Sequence, residues 1–449
     1  MALNRHTAPA NGVFRATEIP SLEAMPLSSG VVAYHRRTSA QGLLRLDLMV
    51  RAGSGFQPRP LLSQLSDLLL KEGCREVRDA SGQVTCSALS TAETADLFDR
   101  YGAYVYYSTM MEYVIVTVCV RTEYLAPSLT LLRNLYAFPA YPEEGIRLNL
   151  ELRQQQWKID REKVQVAASM KMNELLFGAD HPYGRMLREE DFQAVDRAEL
   201  LAFHDRFYRP ENTLLVATGD VGEQELAVME RIFGVGLSRM LSEAGETVEA
   251  AATSLPDMPP PHPSAEKTAF ISKPGALQAA VRFSLPAVGQ QHPDFHGLQI
   301  LNALLGGYFG SRLMTSLREE KGYTYGIQST HTVYRDYSYI DIETQTAVGF
   351  VEPLIDGVWA EMDRLVREPV TAAELDRLRN HLYGEYARMV DGPFAFSDLF
   401  LSARMSGEEM SECFARQLEA VGAVTPDDLQ RLARTYLRKE DFFLVKAGG

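Results

Sequence analysis

Cysteine is scarce in this chain of 449 residues: there are four, Cys74, Cys86, Cys119 and Cys413, and none forms a Cys-x-x-Cys pair. That pattern excludes a zinc knuckle and a thioredoxin-type redox motif, and it fits a reducing compartment. Cys119 falls in the apolar alternation Val114-Ile115-Val116-Thr117-Val118-Cys119-Val120, which reads as a strand carrying a buried free thiol. Nothing in the spacing of Cys74 and Cys86 indicates a disulfide. Positive charge is also short. Lys and Arg number 45 against 59 Asp and Glu, a formal net charge of −14. Such a balance excludes the basic face that nucleic acid requires and argues against docking on an anionic membrane. Long apolar runs are missing too, so no transmembrane helix is expected. The start, Met1 to Pro9, lacks the apolar stretch of a signal peptide. The chain therefore reads as cytoplasmic, with the periplasm as the alternative if a leader has been removed.

What is present is a globular composition, 46% hydrophobic and 23% charged, on a chain too long for one ordinary domain. Prolines at 256, 259, 260, 261 and 263 crowd the segment 244–265 and bar both helix interior and central strand. It reads as an extended connection between residues 1–243 and 266–449. The two parts look alike. Each opens with two strands, Val31–Tyr34 and Leu44–Val50 in the first, Thr268–Ile271 and Ala280–Leu285 in the second. In each an apolar helix follows and ends in glycine, at Gly73 and at Gly306-Gly307. The closing strands, Glu211–Gly219 and Glu440–Gly448, keep a constant offset (440 − 211 = 229; 448 − 219 = 229). An internal duplication is expected. Helical spacing covers 125–136, 143–173, 197–207 and 223–232, then 349–367, 371–390, 394–405 and 411–421. Thr371 and Thr425-Pro426-Asp427-Asp428 are helix-start signals. Further strands are expected at 102–108, 113–120, 324–334 and 337–346. Antiparallel hairpins mixed with long helices make this an α+β protein of two similar domains, each a mostly antiparallel sheet covered by helices.

The most distinctive segment runs from Leu304 to Gly326, Leu-Leu-Gly-Gly-Tyr-Phe-Gly-Ser-Arg-Leu-Met-Thr-Ser-Leu-Arg-Glu-Glu-Lys-Gly-Tyr-Thr-Tyr-Gly. Its glycines Gly306, Gly307 and Gly310 lack the Gly-Lys-Ser/Thr ending of a phosphate loop and read as a helix-ending turn. The whole segment resembles the second-domain signature of the pitrilysin/insulinase peptidases and the mitochondrial processing peptidase. His181-Pro182-Tyr183-Gly184 and Phe207-Tyr208-Arg209-Pro210-Glu211-Asn212 add to the resemblance in the first part. It implies two domains facing each other like a clam shell and metal-assisted peptide hydrolysis.

The family's zinc motif is His-x-x-Glu-His on a first-domain helix. The histidines, four apart, share one face and reach one ion, and the glutamate is the general base. Anchored on Gly73, the matching positions here are Gln64, Asp67 and Leu68. Leu68 has no lone pair, Gln64 is a poor ligand beside imidazole, and a lone Asp67 reads as structural. Glu143, Glu144 and Glu151 lie where a third ligand might sit, but the better counterpart, Arg153-Gln154-Gln155-Gln156-Trp157, is amide-rich. His292 and His296 have helical metal-pair spacing, yet Pro293 and Asp294 between them read as a surface helix start. No metal or other cofactor is expected in this chain.

A second element survives. Arg318 and Tyr325, seven apart, resemble the family's arginine and tyrosine that face the catalytic domain across the substrate cavity. The resemblance gives them hydrogen bonds to the scissile carbonyl. The plainer reading has Arg318 at a helix C-terminus and Tyr325 packed on a strand. Two-subunit members of the family divide zinc helix and arginine-tyrosine pair between chains. The expectation is therefore a non-catalytic subunit that hydrolyses nothing alone, with a peptide substrate and a zinc-bearing homologous subunit as partners. The alternatives are a zinc-less scaffold or peptide-binding protein, a homodimer included.

Overall fold

The computed structural model describes residues 21–79, 81–244 and 257–449. The segment Met1–Pro9 and residues 245–256 of the proline-rich connection, Pro256 among them, lie outside the described residues.

In chain order the first part contributes strands β1 (Glu23–Pro26), β2 (Val32–Arg37) and β3 (Leu43–Val50), a small hairpin of β4 (Val77–Arg78) and β5 (Val84–Cys86), then β6 (Tyr104–Thr109), β7 (Val114–Arg121) and β8 (Thr213–Gly219). The second part contributes β9 (Thr268–Ser272), β10 (Gln278–Ala287), β11 (Thr324–Val333), β12 (Ser338–Ala347) and β13 (Phe443–Gly448). One sheet has the order β1-β2-β8-β3-β7-β6 and the other β11-β12-β10-β13-β9. Read from the edges β6 and β11 inward, the two orders are the same. In both, the neighbours run antiparallel except for one parallel pair, β2 with β8 and β9 with β13. The alternation of apolar side chains explains the choice of face: Leu44, Leu46, Leu48 and Val50 of β3 enter one core with Val114, Val116, Val118 and Val120 of β7.

The helices are α1 (Leu62–Leu68), α2 (Thr91–Arg100), α3 (Leu125–Ala137), α4 (Glu143–Asp160), α5 (Val164–Phe177), α6 (Arg197–Phe207), α7 (Glu223–Met229) and α8 (Leu237–Glu243), followed by α9 (Phe295–Asn302), α10 (Val351–Arg367), α11 (Ala372–Met389), α12 (Ala395–Ser406), α13 (Met410–Ala423) and α14 (Pro426–Tyr436). The 229-residue offset returns here, since α14 begins and ends 229 positions after α6. Their N-caps obey it as well: Asp196 accepts from the Glu199 N–H and Thr425 from the Asp428 N–H.

Two helices cross between the parts. Met172 and Leu176 of α5 pack with Ala280 of β10 and Val445 of β13. Leu399 and Phe400 of α12 pack in return with Met49, Ile115 and Val216 of the first sheet. Each such side chain taken from water contributes roughly 1.5–3 kcal/mol, so the exchange locks the two sheets together.

Three sequence expectations need correction. The single helix expected over 143–173 is broken at residues 161–163, where Lys163 turns to extended backbone and its ammonium meets the Asp160 carboxylate at 2.6 Å. No glycine or proline announces the break; it lets α5 leave the first sheet for the second. The helix expected to end at Ile232 continues through a wide π-helical turn, Glu230–Gly236, into α8. The helix α2 and the hairpin β4–β5 were not expected. That hairpin lies between Cys74 and Cys86, whose thiols are free and buried with the sulfurs 3.9 Å apart. Gly73, the anchor of the motif alignment, sits at φ +108°, and a Cβ there would come within 1.9 Å of the Leu89 carbonyl oxygen.

Candidate substrate-facing site

The degenerate motif lies on α1. Gln64 and Leu68 are half-buried, and Asp67 between them is only 1% exposed. Thr109, at the end of edge strand β6, donates its hydroxyl to Asp67 Oδ2 at 2.9 Å; Oδ1 has no hydrogen-bond partner among the described residues. Burial pushes the Asp67 carboxyl up to about 7, with the Thr109 bond and the charge of Arg153 acting the other way. Gln64 lines a pocket of about 380 Å³ with Arg153, Gln156 and Trp157 of α4. The three glutamates weighed as a third ligand do not share it. Glu143, Glu144 and Glu151 are exposed, and the last two hold Arg147 on the outer face of α4.

These residues do not fit a zinc ion. The motif positions hold a glutamine, a leucine and one buried carboxylate, the pocket beside Gln64 adds an amide, an indole and a guanidinium, and the Arg153 guanidinium would repel a dication. Among the described residues no three His, Cys, Asp or Glu side chains converge on a point that could hold a metal. His292 and His296 are engaged separately, His292 Nδ1 accepting from the Asp294 N–H at 3.1 Å and His296 contacting Gln299.

Arg318 and Tyr325 lie in the second part and meet each other. Arg318 belongs to a π-helical turn, Met314–Glu320, and its Nε donates to the Tyr325 carbonyl at 2.9 Å. Its guanidinium carbon stands 4.8 Å from the ring centroid of Phe309, itself 62% exposed. Tyr325 sits where the β11–β12 register shifts between Thr324 and Ile327, a bulge on an edge strand that re-aims the side chain. The result is a tyrosine 93% exposed, not one packed on its strand. Beside it runs a groove of about 670 Å³ lined by Phe309, Tyr325, Arg282 of β10 and Glu343 of β12. Gly306 makes the close packing there possible, because a Cβ would come within 2.7 Å of Ser329 on β11. Helix α5 separates the two regions, giving Gln165 to this groove and Met170 and Asn173 to the Gln64 pocket. The chain thus brings Arg318 and Tyr325 together and keeps both apart from Asp67.

Sequence reasoning missed two residues. In the sequence Arg153 reads only as part of an amide-rich run, though an arginine on that stretch is itself a signal. Phe309 reads only as part of the glycine turn.

With this geometry in view, residues 194–382 match the family model of the peptidase M16 inactive domain. The chain is similar to the M16 peptidases. It is 22% identical over 300 residues to the uncharacterized zinc protease YmxG of Bacillus subtilis, spanning 66% of this chain and 69% of that protein. It is 23% identical over 290 residues to the β subunit of the mitochondrial-processing peptidase of Lentinula edodes, spanning 60% of this chain and 58% of that subunit. In fold it is similar to the crystal structure of a peptidase M16 inactive domain from Pseudomonas fluorescens, with a TM-score of 0.79 and 19% identity, covering 96% of this chain and 98% of that one. The α+β arrangement of helix-covered sheets is therefore the M16 fold. The family-model match begins beyond Gln64, Asp67 and Leu68 and does not cover them. No helix among the described residues is long and apolar enough to cross a membrane.

Proposed function

We propose that this chain is the non-catalytic subunit of a two-subunit zinc peptidase, supplying Arg318, Tyr325 and part of the wall that encloses the peptide. The observation that carries the reading is the pair itself: a tyrosine 93% exposed beside an arginine on a sheet edge, the arginine steadied by the Tyr325 carbonyl, the Phe309 ring and a long contact with Glu319 at 3.9 Å. Arg318 spends Nε on the Tyr325 carbonyl, which fixes the guanidinium plane; Nη1 stands 3.9 Å from the Glu319 carboxylate, too long for a hydrogen bond, so the Nη donors can turn to a peptide carbonyl oxygen. An extended peptide can add to the β11 edge through main-chain hydrogen bonds, so that backbone is read more than sequence. Zinc held by a homologous partner supplies the activated water. Arg318 and Tyr325 then meet the charge that develops on the scissile carbonyl. That one relative is the β subunit of a processing peptidase supports a paired assembly.

The test is recovery of the tagged chain from its own organism with its bound partners. The proposal expects a near-stoichiometric homologue carrying His-x-x-Glu-His, and peptide hydrolysis only with that homologue present. Recovery of this chain alone, inert and stable, would replace the proposal with a scaffold or peptide-binding role.

A further inference from the structure

Arg153 has no hydrogen-bond partner among the described residues. It is half-buried on α4, with no ion pair among those residues and with Nε shielded from solvent. Among the described residues the charge of Asp67 acts on it from beyond bonding distance, and burial lowers its pKa from the ordinary value. An arginine this enclosed is ordinarily paired. One turn along α4, Trp157 presents a buried indole N–H that also lacks an acceptor. Its ring is held by Phe192 at 5.5 Å and by the Arg161 guanidinium at 4.7 Å, so the N–H direction is fixed. Both residues line the pocket of about 380 Å³ left beside Gln64. Asp160 is the acid in that wall, and it is already bonded to Gln156 and Lys163. The remaining wall includes Met170 and Phe192, apolar surface that suits aliphatic carbons and not a free inorganic anion.

We propose that the pocket between α1, α4 and α5 binds the carboxylate of a peptide, with the Arg153 guanidinium and the Trp157 indole N–H as its donors. The planar fork of Arg153 matches a carboxylate, and the side chain or chain end that bears it lies against the apolar wall. The pocket beside Gln64 is then an anchoring site that needs no partner subunit.

Isothermal titration of the full chain with three N-acetylated alanine tetrapeptides tests this. The probes are the free acid, its C-terminal amide, and an amide with one alanine replaced by glutamate. The free acid is expected to bind and the plain amide to fail. Binding of the glutamate amide as well would support recognition of any peptide carboxylate, and its failure would support recognition of the chain end. Arg153→Gln should weaken the acid about ten- to a hundredfold, the range of a charge-assisted bond, and Trp157→Phe by a smaller factor. Thermal melting of unliganded R153Q separates a structural role, because removing an unpaired half-buried charge should leave the midpoint equal or higher. Equal binding of acid and plain amide, no binding of any probe, undiminished binding by R153Q, or a midpoint of R153Q well below wild type would each overturn the proposal.

Discussion

The first sheet sets Arg45 and Asp47 of β3 against Thr117 of β7, while the second sets Arg282 and Ser284 of β10 against Asp341 of β12. The positions correspond strand for strand, since Asp47 pairs with Thr117 and Ser284 with Asp341 in register. The carboxylate has changed strands and the hydroxyl has taken its place, so the duplication keeps one cation, one anion and one hydroxyl but not their addresses. The two knots are closed differently. Arg45 reaches Asp398 of α12 at 2.8 Å, so a helix from the other half caps the first sheet. Arg282 reaches Glu343 on its own sheet at 3.3 Å, and both line the groove beside Tyr325. Each sheet receives a helix from its sister, but only the Arg45 knot is closed by that helix; the Arg282 knot closes on its own sheet, beside the groove where Arg318 and Tyr325 stand.

The comparison can be broken first at the cations. Arg45→Met strands buried Asp47, and breaking such a pair costs about 3–5 kcal/mol. Arg282→Met should cost a similar amount through Asp341. Urea unfolding of both variants checks this, and a loss confined to one would refute the equivalence of the knots. Asp67 sharpens the contrast next. Its folded pKa of about 7 lies above the ordinary 3.8. Stability is therefore full below pH 4 and is lost as pH rises through 7, by roughly 4 kcal/mol at most. Asp67→Asn keeps an acceptor for Thr109 and removes this slope, which denaturation at pH 5 and pH 8 will show. The matched caps give a smaller effect: Asp196→Ala and Thr425→Ala should each cost about 1 kcal/mol, and unequal losses would show that α6 and α14 are loaded differently. Smallest is Asp398→Ala. Its side chain is 69% exposed, so the change in unfolding free energy should stay within about 1 kcal/mol.

Much of the fold was legible because period and punctuation agreed with it. The span 197–207 came out to the residue, flanked by Asp196 and followed by the repeat of the closing strand. Thr425-Pro426 announced α14 through the cap and the proline that tolerates the first turn. The break at 161–163 was illegible because its cause is tertiary: Val164 to Phe177 gain their burial on the other half's sheet. The exposed aim of Tyr325 was likewise hidden, since a bulge leaves no mark in the alternation of Thr324 to Val333. At the degenerate motif the missing ligands were readable from residue type alone. The burial of Asp67 depends on packing of α1 against β6 and α6, and the isolation of Arg153 on the pocket that α4 forms with α1 and α5; no local pattern encodes either.

The central claim is that Arg318 and Tyr325 serve an active site completed by another chain. Its most direct test is the peptide-hydrolysis rate of this chain mixed with a zinc-bearing homologue from the same organism, comparing wild type with Arg318→Ala. The account predicts a kcat lower by about 10²–10³-fold, or about 2.7–4 kcal/mol in the barrier, with KM little changed and unfolding unaffected. Turnover equal to wild type in the R318A pair would contradict it.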